Sequence, residues 1–383
     1  MKSKRVLAIS LILSMLASNV VFADQVLTSK KSYTATTQTV NSVTGEVVYQ
    51  DLTVEEATKK ALANSSNLKT LNETKDVTDQ QNDYITFSFQ YTNSDSTTAE
   101  NQQTSYSIRS LNNALKQIDL TASYATDAVE LQVKNYFNTI KAAQDQIDLY
   151  EEDMVIQQKN IQIAEVKKNL GLISQLEYDN TVNTYNTTVA SKTDLEITID
   201  NAFRSLNETM GTDLANRYNL ILDDVEYQPL GNVDLTSKIT QSVASNYNIK
   251  ILKDAVDLAQ YDYDTYQPIA EMTYQNQQKK NTLNEAQRSL NDAETAYRND
   301  MSTLYNSIIS YEKDYTDYTG QLDVAKSKYE VTKTQYATGQ ATEVDVLSAA
   351  YTVSQLEKGI DQLVRGHALM VEKFNNPDLV QLS

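Results

Sequence analysis

Apolar positions in the later half of the chain recur by threes and fours without a break. Leu283, Ala286, Leu290, Ala293, Tyr297, Met301, Leu304, Ile308, Tyr311, Tyr315, Tyr318, Leu322, Ala325, Tyr329, Thr332 and Tyr336 form one stripe, whose fifteen steps cover 53 residues, or 3.53 residues per step. Leu111, Leu115, Ile118, Ala122, Ala125, Val129, Tyr136, Ile140, Ala143, Ile147, Tyr150, Met154, Ile161 and Ala164 follow the same rule earlier on, with Gln132 and Gln157 filling two slots. A period near 3.5 is the seam of a coiled coil rather than the face of a straight globular helix. The first stripe predicts a helix over about Gln102 to Lys168, roughly 100 Å long at ~1.5 Å per residue. With 8 Gly and 3 Pro in 383 residues, there is little punctuation for many short elements.

Each stripe stops at a glycine turn. These are Asn169-Leu170-Gly171-Leu172-Ile173-Ser174 and Ala337-Thr338-Gly339-Gln340-Ala341-Thr342. Glycine supplies a left-handed helix end, and Ser174 or Thr342 then caps a new helix with Glu177, or Glu343 and Asp345, in its first turn. The returning helices run through Tyr178, Val182, Tyr185, Val189, Ile199, Phe203 and Leu206, and through Ala349, Val353, Leu356, Ile360, Leu363, Met370 and Phe374. The predicted unit is therefore an antiparallel helical hairpin, present twice.

The duplication extends further. An offset of 181 superposes Val54 on Leu235, Ala63 on Ala244, Asn67 on Asn248, Lys69 on Lys250 and Leu71 on Leu252; an offset of 168 superposes Gly171 on Gly339, Ser174 on Thr342 and Glu177 on Asp345. The difference, 181 − 168, places 13 additional residues in the first copy between about Leu71 and Leu115. That stretch contains Tyr84-Ile85-Thr86-Phe87-Ser88-Phe89-Gln90-Tyr91, an alternation that predicts a short strand. The equivalent place in the second copy, Tyr266 to Gln278, predicts a kink at Pro268 instead. The resulting division is residues 51–209 for the first repeat, 210–234 for a linker holding Pro229 and Gly231, 235–374 for the second repeat and 375–383 for a tail. Thr53, followed by Glu55 and Glu56, is the predicted cap of the first helix. Residues 24–50, rich in Ser, Thr, Val and Gln, predict a disordered leader.

Composition adds an address. Lys2, Lys4 and Arg5 precede an apolar run from Val6 to Val21 and the small-residue site Val21-Phe22-Ala23, the build of a secretory signal over residues 1–23. There is no cysteine, which excludes disulfides, lipidated cysteine and thiolate metal sites. The net charge of −18, or −21 without the three basic residues of the signal, disfavours nucleic acid and suits cations or plain solubility. His367 is the only histidine, so nucleophile-base pairs and zinc sites cannot be assembled; it lies on a seam between Leu363 and Met370 and reads as packing. The acids Glu151-Glu152-Asp153, Asp223-Asp224 and Asp262 with Asp264 read as solvated helix or loop positions rather than a cation site. No catalytic residue, cofactor or metal site is predicted.

The two halves, each with a start like Leu52-Thr53-Val54-Glu55-Glu56-Ala57, a very long helix, a glycine turn and a hydrophobic restart, resemble the TolC family of outer-membrane efflux proteins over most of residues 51 to 374. The likeness is carried most specifically by Lys167 to Asp179 and Gln335 to Leu347. It implies an all-α protomer of long coiled-coil hairpins in two tandem repeats, assembled as a homotrimer into a twelve-helix tube. It also implies that the turns dock the periplasmic adaptor of an inner-membrane pump, through Lys167, Gly171, Leu172, Ser174, Gln335, Gly339, Thr342 and Asp345. Lys167 and Gln335 stand where the family often has Arg. The family also carries four β-strands per chain for a shared outer-membrane barrel, whereas one eight-residue run cannot supply strands of ~9 to 11 residues in that number. The expected function is an exported tube component of an efflux or export system, acting as a passive conduit or docking piece in the cell envelope. The rival expectation is an envelope-associated or secreted coiled-coil rod without a channel.

Overall fold

The computed structural model describes residues 38–40, 47–92, 98–222, 225–265 and 273–380. The signal segment, Asp223-Asp224 and Pro268 lie outside them. Among the described residues are eight helices, four per repeat: α1 (Val54–Asn64), α2 (Ser66–Thr92), α3 (Thr98–Asn169) and α4 (Gln175–Met210), then α5 (Leu235–Ser245), α6 (Tyr247–Thr265), α7 (Thr273–Ala337) and α8 (Glu343–Asn375). The expected all-α class of long tandem hairpins is what the chain adopts. At 72 residues, α3 is about 108 Å long at ~1.5 Å per residue.

Four helices lie side by side in the half that carries the glycine turns, in the order α4, α3, α8, α7. In the other half α2 takes the place of α4 against α3, and α6 packs on α7 and α3, so the long helices α3 and α7 run through both halves. Between the halves the chain breaks twice, at positions 181 residues apart. Ser65 leaves the helical region with ψ 110°, yet its N–H still closes α1 on Ala61 O and its Oγ accepts the Leu68 N–H that opens α2. Asn246 does the same with ψ 131°, bonding Ser242 O and accepting the Ile249 N–H. One residue thus ends one helix and caps the next, leaving few orphan backbone groups at the joint.

Two cores fill this waist. Leu52, Val133, Phe137, Ile140 and Leu206 are fully buried in the first, and Ile249, Tyr297, Met301, Ile308 and Phe374 in the second. Each such side chain contributes about 1.5–3 kcal/mol of transfer free energy.

Two expectations are corrected. Tyr84–Tyr91 is not a strand: α2 stays helical through Thr92. The segment has a helical face as well as an alternation, because Asn82, Ile85, Thr86 and Phe89 fall at spacings of three and four and are among the half-buried positions, with Tyr84 and Phe87 outside. The 13 additional residues lengthen a helical hairpin: α2 is 27 residues where α6 is 19, and α3 begins seven residues before the point equivalent to the start of α7. The leader is also not wholly without structure. β1 (Gln38–Val40) pairs antiparallel with β2 (Val47–Thr53), and β2 pairs parallel with β3 (Tyr218–Ile221), Gln50 facing Tyr218 and Thr53 facing Ile221. The β-rich composition of Glu46-Val47-Val48-Tyr49 suits this pairing, and burial of Leu52 and Tyr218 fixes its register.

Candidate functional site

Both glycine turns lie at one end of the layer. Gly171 and Gly339 have φ of 72° and 75°, the left-handed region that side chains other than glycine's rarely adopt. Around each, two backbone bonds close the helix end: Gly171 N–H to Lys168 O at 2.9 Å and Leu172 N–H to Lys167 O at 2.8 Å, matched by Gly339 to Tyr336 O at 3.0 Å and Gln340 to Gln335 O at 2.8 Å. Lys167 and Gln335 thus accept through their backbone carbonyls while their side chains are exposed.

The restart is equally local. Ser174 Oγ accepts the Glu177 N–H at 3.1 Å and Thr342 Oγ1 accepts the Asp345 N–H at 3.3 Å. Only the second turn closes the bond in both directions, because Asp345 Oδ2 accepts the Thr342 N–H at 2.8 Å and its O–H at 2.8 Å. These two bonds hold the Asp345 carboxyl below its ordinary range. The turns differ in surface too. Leu170, Leu172 and Leu176 are 68%, 69% and 70% exposed at the first, a bare apolar tip, whereas the second shows Thr338, Gln340 and Thr342. Lys168 Nζ lies 3.8 Å from the centre of the Tyr178 ring, stiffening the base of the first turn.

The eight sequence-selected residues therefore form two separate clusters. Lys167, Gly171, Leu172 and Ser174 make one turn, and Gln335, Gly339, Thr342 and Asp345 the other. A polar ladder between α3 and α8 joins them, and no stripe pattern revealed it. Its rungs are Lys159–Glu343 at 3.1 Å, Ser354 to Glu152 at 3.0 Å, Lys358–Asp148 at 2.6 Å, Arg365–Asp145 at 2.9 Å, Lys134–Glu372 at 2.7 Å and Asn376 to Asp127 at 2.7 Å. The hairpins are zipped internally by apolar seams, but to each other by charge. Behind the ladder, burial and nearby Asp153 push the Tyr351 hydroxyl up to about 12, so it is a neutral phenol accepting from Gln355.

The remaining candidates have local partners. Glu151 pairs with Lys192, Glu152 accepts from Ser354 and Asp153 accepts from Gln157, so the three acids point around the helix; Asp262 pairs with Lys279. His367 is buried, with Nε2 3.2 Å from Glu312, which also accepts the Leu230 N–H. Glu312 of α7 thus holds the linker through Leu230 and meets His367 of α8 on the same carboxylate. Among the described residues no helix is long and apolar enough to cross a membrane.

This architecture is that of TolC-family outer-membrane channels. The solved structure of the Campylobacter jejuni CmeC outer membrane channel is similar over 94% of this chain and 95% of that chain, at 11% identity and a TM-score of 0.64. The outer membrane protein VceC of Vibrio cholerae matches over 85% and 96% at 10% identity and 0.60, and the open state of the Neisseria gonorrhoeae MtrE outer membrane channel over 86% and 90% at 13% and 0.56. At these identities the likeness establishes the fold. No family model matches the sequence, and no curated protein does.

Proposed function

We propose that the chain is one protomer of an exported helical conduit in the cell envelope, self-assembled as a homotrimer, with the two glycine turns docking an adaptor of an export pump. The observation that supports this most is the shared fold along nearly the whole chain, with both turns at one end and exposed apolar residues at the first. The conduit does no chemistry of its own. Substrate passes along a polar lumen, and the chain's net charge of −18 favours cations over anions.

The rod reading keeps one observation in its favour. Five residues connect α2 to α3 and seven connect α6 to α7, fewer than one pair of membrane-spanning strands of ~9 to 11 residues each. Helix therefore runs up to both sides of these five- and seven-residue connections, which suits a rod.

Gly171→Trp with Gly339→Trp tests the docking assignment. The expected result is at least a tenfold loss of adaptor capture and of export, with the purified protein keeping its helix content and assembly state. Undiminished capture and export with both substitutions in place contradicts it.

A further inference from the structure

Past the end of α8, residues 376–380 form a C-terminal strap that brings two acids onto one side chain. Asn376 Nδ2 donates to Asp127 Oδ2 of α3 at 2.7 Å, and Asn376 Oδ1 accepts the Asp378 N–H at 3.1 Å. Asp378 Oδ1 in turn accepts the N–H of Tyr247, the first residue of α6, at 2.7 Å. Pro377 O accepts Asn246 Nδ2, at the joint between α5 and α6, and Leu379 and Val380 are buried. The strap therefore ties α3 of the first repeat to the joint of the second, with a half-buried carboxylate at each end of the tie. The equivalent joint at Ser65 has no such acid: Asn64 fastens it to backbone carbonyls of Glu208 and Thr209.

The surroundings of Asp378 do not settle its charge. Burial pushes its carboxyl above the ordinary range and the Asp127 charge adds to this, while the Tyr247 N–H and Lys250 of α6 offset it only in part. Other charges near the strap are engaged elsewhere. Lys238 of α5 lies against Asn375 and the Phe374 ring, and on α8 Glu372 is paired with Lys134, while burial holds Lys373 below its ordinary value. The phenols of Tyr124, Tyr247 and Tyr297 are all pushed up by burial, Tyr247 to about 12, so they stay neutral beside the two acids.

We propose that the strap is a proton-controlled latch on the second joint: with Asp378 protonated it binds α6 to α3 firmly, and with Asp378 and Asp127 both ionised it loosens and lets α5 and α6 move against α3. A protonated Asp378 keeps an oxygen for the Tyr247 N–H and removes the like charge facing Asp127. The docked carboxyl takes up a proton more readily than the carboxyl of a released strap, whose ordinary value is about 3.9. The latch's contribution is therefore complete below that value and is lost as pH rises through the higher docked value. Acid tightens the second joint and leaves the first unchanged. The latch belongs to the single chain, so it operates in the conduit and in the rod alike.

Amide hydrogen exchange on the purified full-length chain reads the latch, each rate being divided by the intrinsic rate at the same pH. The reporters are the Tyr247 amide, bonded to Asp378, and the Ile249 amide, bonded to Asn246; the Leu68 amide, bonded to Ser65 at the first joint, is the control. Between about pH 5 and about pH 8, protection of both reporters is expected to fall at least threefold relative to Leu68. Asp378→Asn keeps an acceptor and has no proton to lose, so it is expected to hold the acid-level protection throughout. Asp127→Asn removes the facing charge and is expected to shrink the fall. Protection that is flat with pH in the unaltered chain, that rises with pH, or that falls equally in Asp378→Asn overturns the latch. If Asp378→Asn fails to dock the strap at any pH, Asp127→Asn decides, and an undiminished fall there overturns it.

Discussion

The two repeats break their helices at equivalent residues and fasten the break by different means. At Ser65 the fastening comes from inside the first repeat: Asn64 Nδ2 donates to Glu208 O and Thr209 O at the end of α4, and Gly211, with φ 68°, leaves room for it, a Cβ there lying 2.5 Å from the Asn64 side chain. At Asn246 it comes from the C-terminal strap. Pro377 O accepts both Asn246 Nδ2 and Tyr297 Oη at 2.9 Å, Asp378 accepts the Tyr247 N–H at 2.7 Å, and Leu379 and Val380 are buried. Asn376 extends the strap to Asp127 of the first repeat, so one short segment couples the two. A duplicated fold therefore repeats the joint and leaves its fastening free to vary, and the second joint depends on residues beyond its own repeat.

The largest expected effect comes from removing that strap. Ending the chain after Asn375 deletes two buried side chains and several hydrogen bonds, a loss of roughly 4–7 kcal/mol. Hydrogen exchange should rise across α5, α6 and the facing part of α7 and stay protected across α1 and α4. Equal loss of protection in both repeats breaks the comparison.

A smaller and sharper contrast is expected at the joints themselves. Asn246→Ala removes a helix cap and a bond to Pro377, about 1.5–3 kcal/mol, whereas Ser65→Ala removes a half-buried cap alone, about 1 kcal/mol. Chemical denaturation of the two variants should rank them in that order, and the reverse order contradicts the assignment of fastenings.

The smallest effect separates the turns. Asp345 is held below its ordinary value by bonds from Thr342, so its contribution is present above the unfolded carboxylate pKa of about 3.9 and is lost as pH falls through the lower folded value. In an NMR titration of labelled threonine, the Thr342 amide should shift with a midpoint below 3.9. A midpoint at or above the ordinary value indicates that the reciprocal bond is absent.

How far the sequence predicted these features follows the range of the interactions. The seams were legible because burial recurs every three or four residues, as from Tyr297 to Ile308. In α3 the fully buried Val133 and Phe137 lie one position beyond Gln132 and Tyr136 of the stripe, because packing against α1 and α4 turns the core face there. The turns were legible because Gly171, Gly339, Ser174 and Thr342 each act within a few residues of themselves. Tyr84–Tyr91 misled because its alternation also fits a helix, and packing along α3 decided between the two. The strap, the β2–β3 pair and the α3–α8 ladder join residues 100 or more apart, and no local pattern announces them.

Electron cryo-microscopy of the purified protein tests the central claim most directly, that copies of the two tandem hairpins assemble side by side into a closed tube. The predicted result is a ring of copies around an open lumen, with both glycine turns of each copy at one rim. Solid rods of one or two copies contradict it.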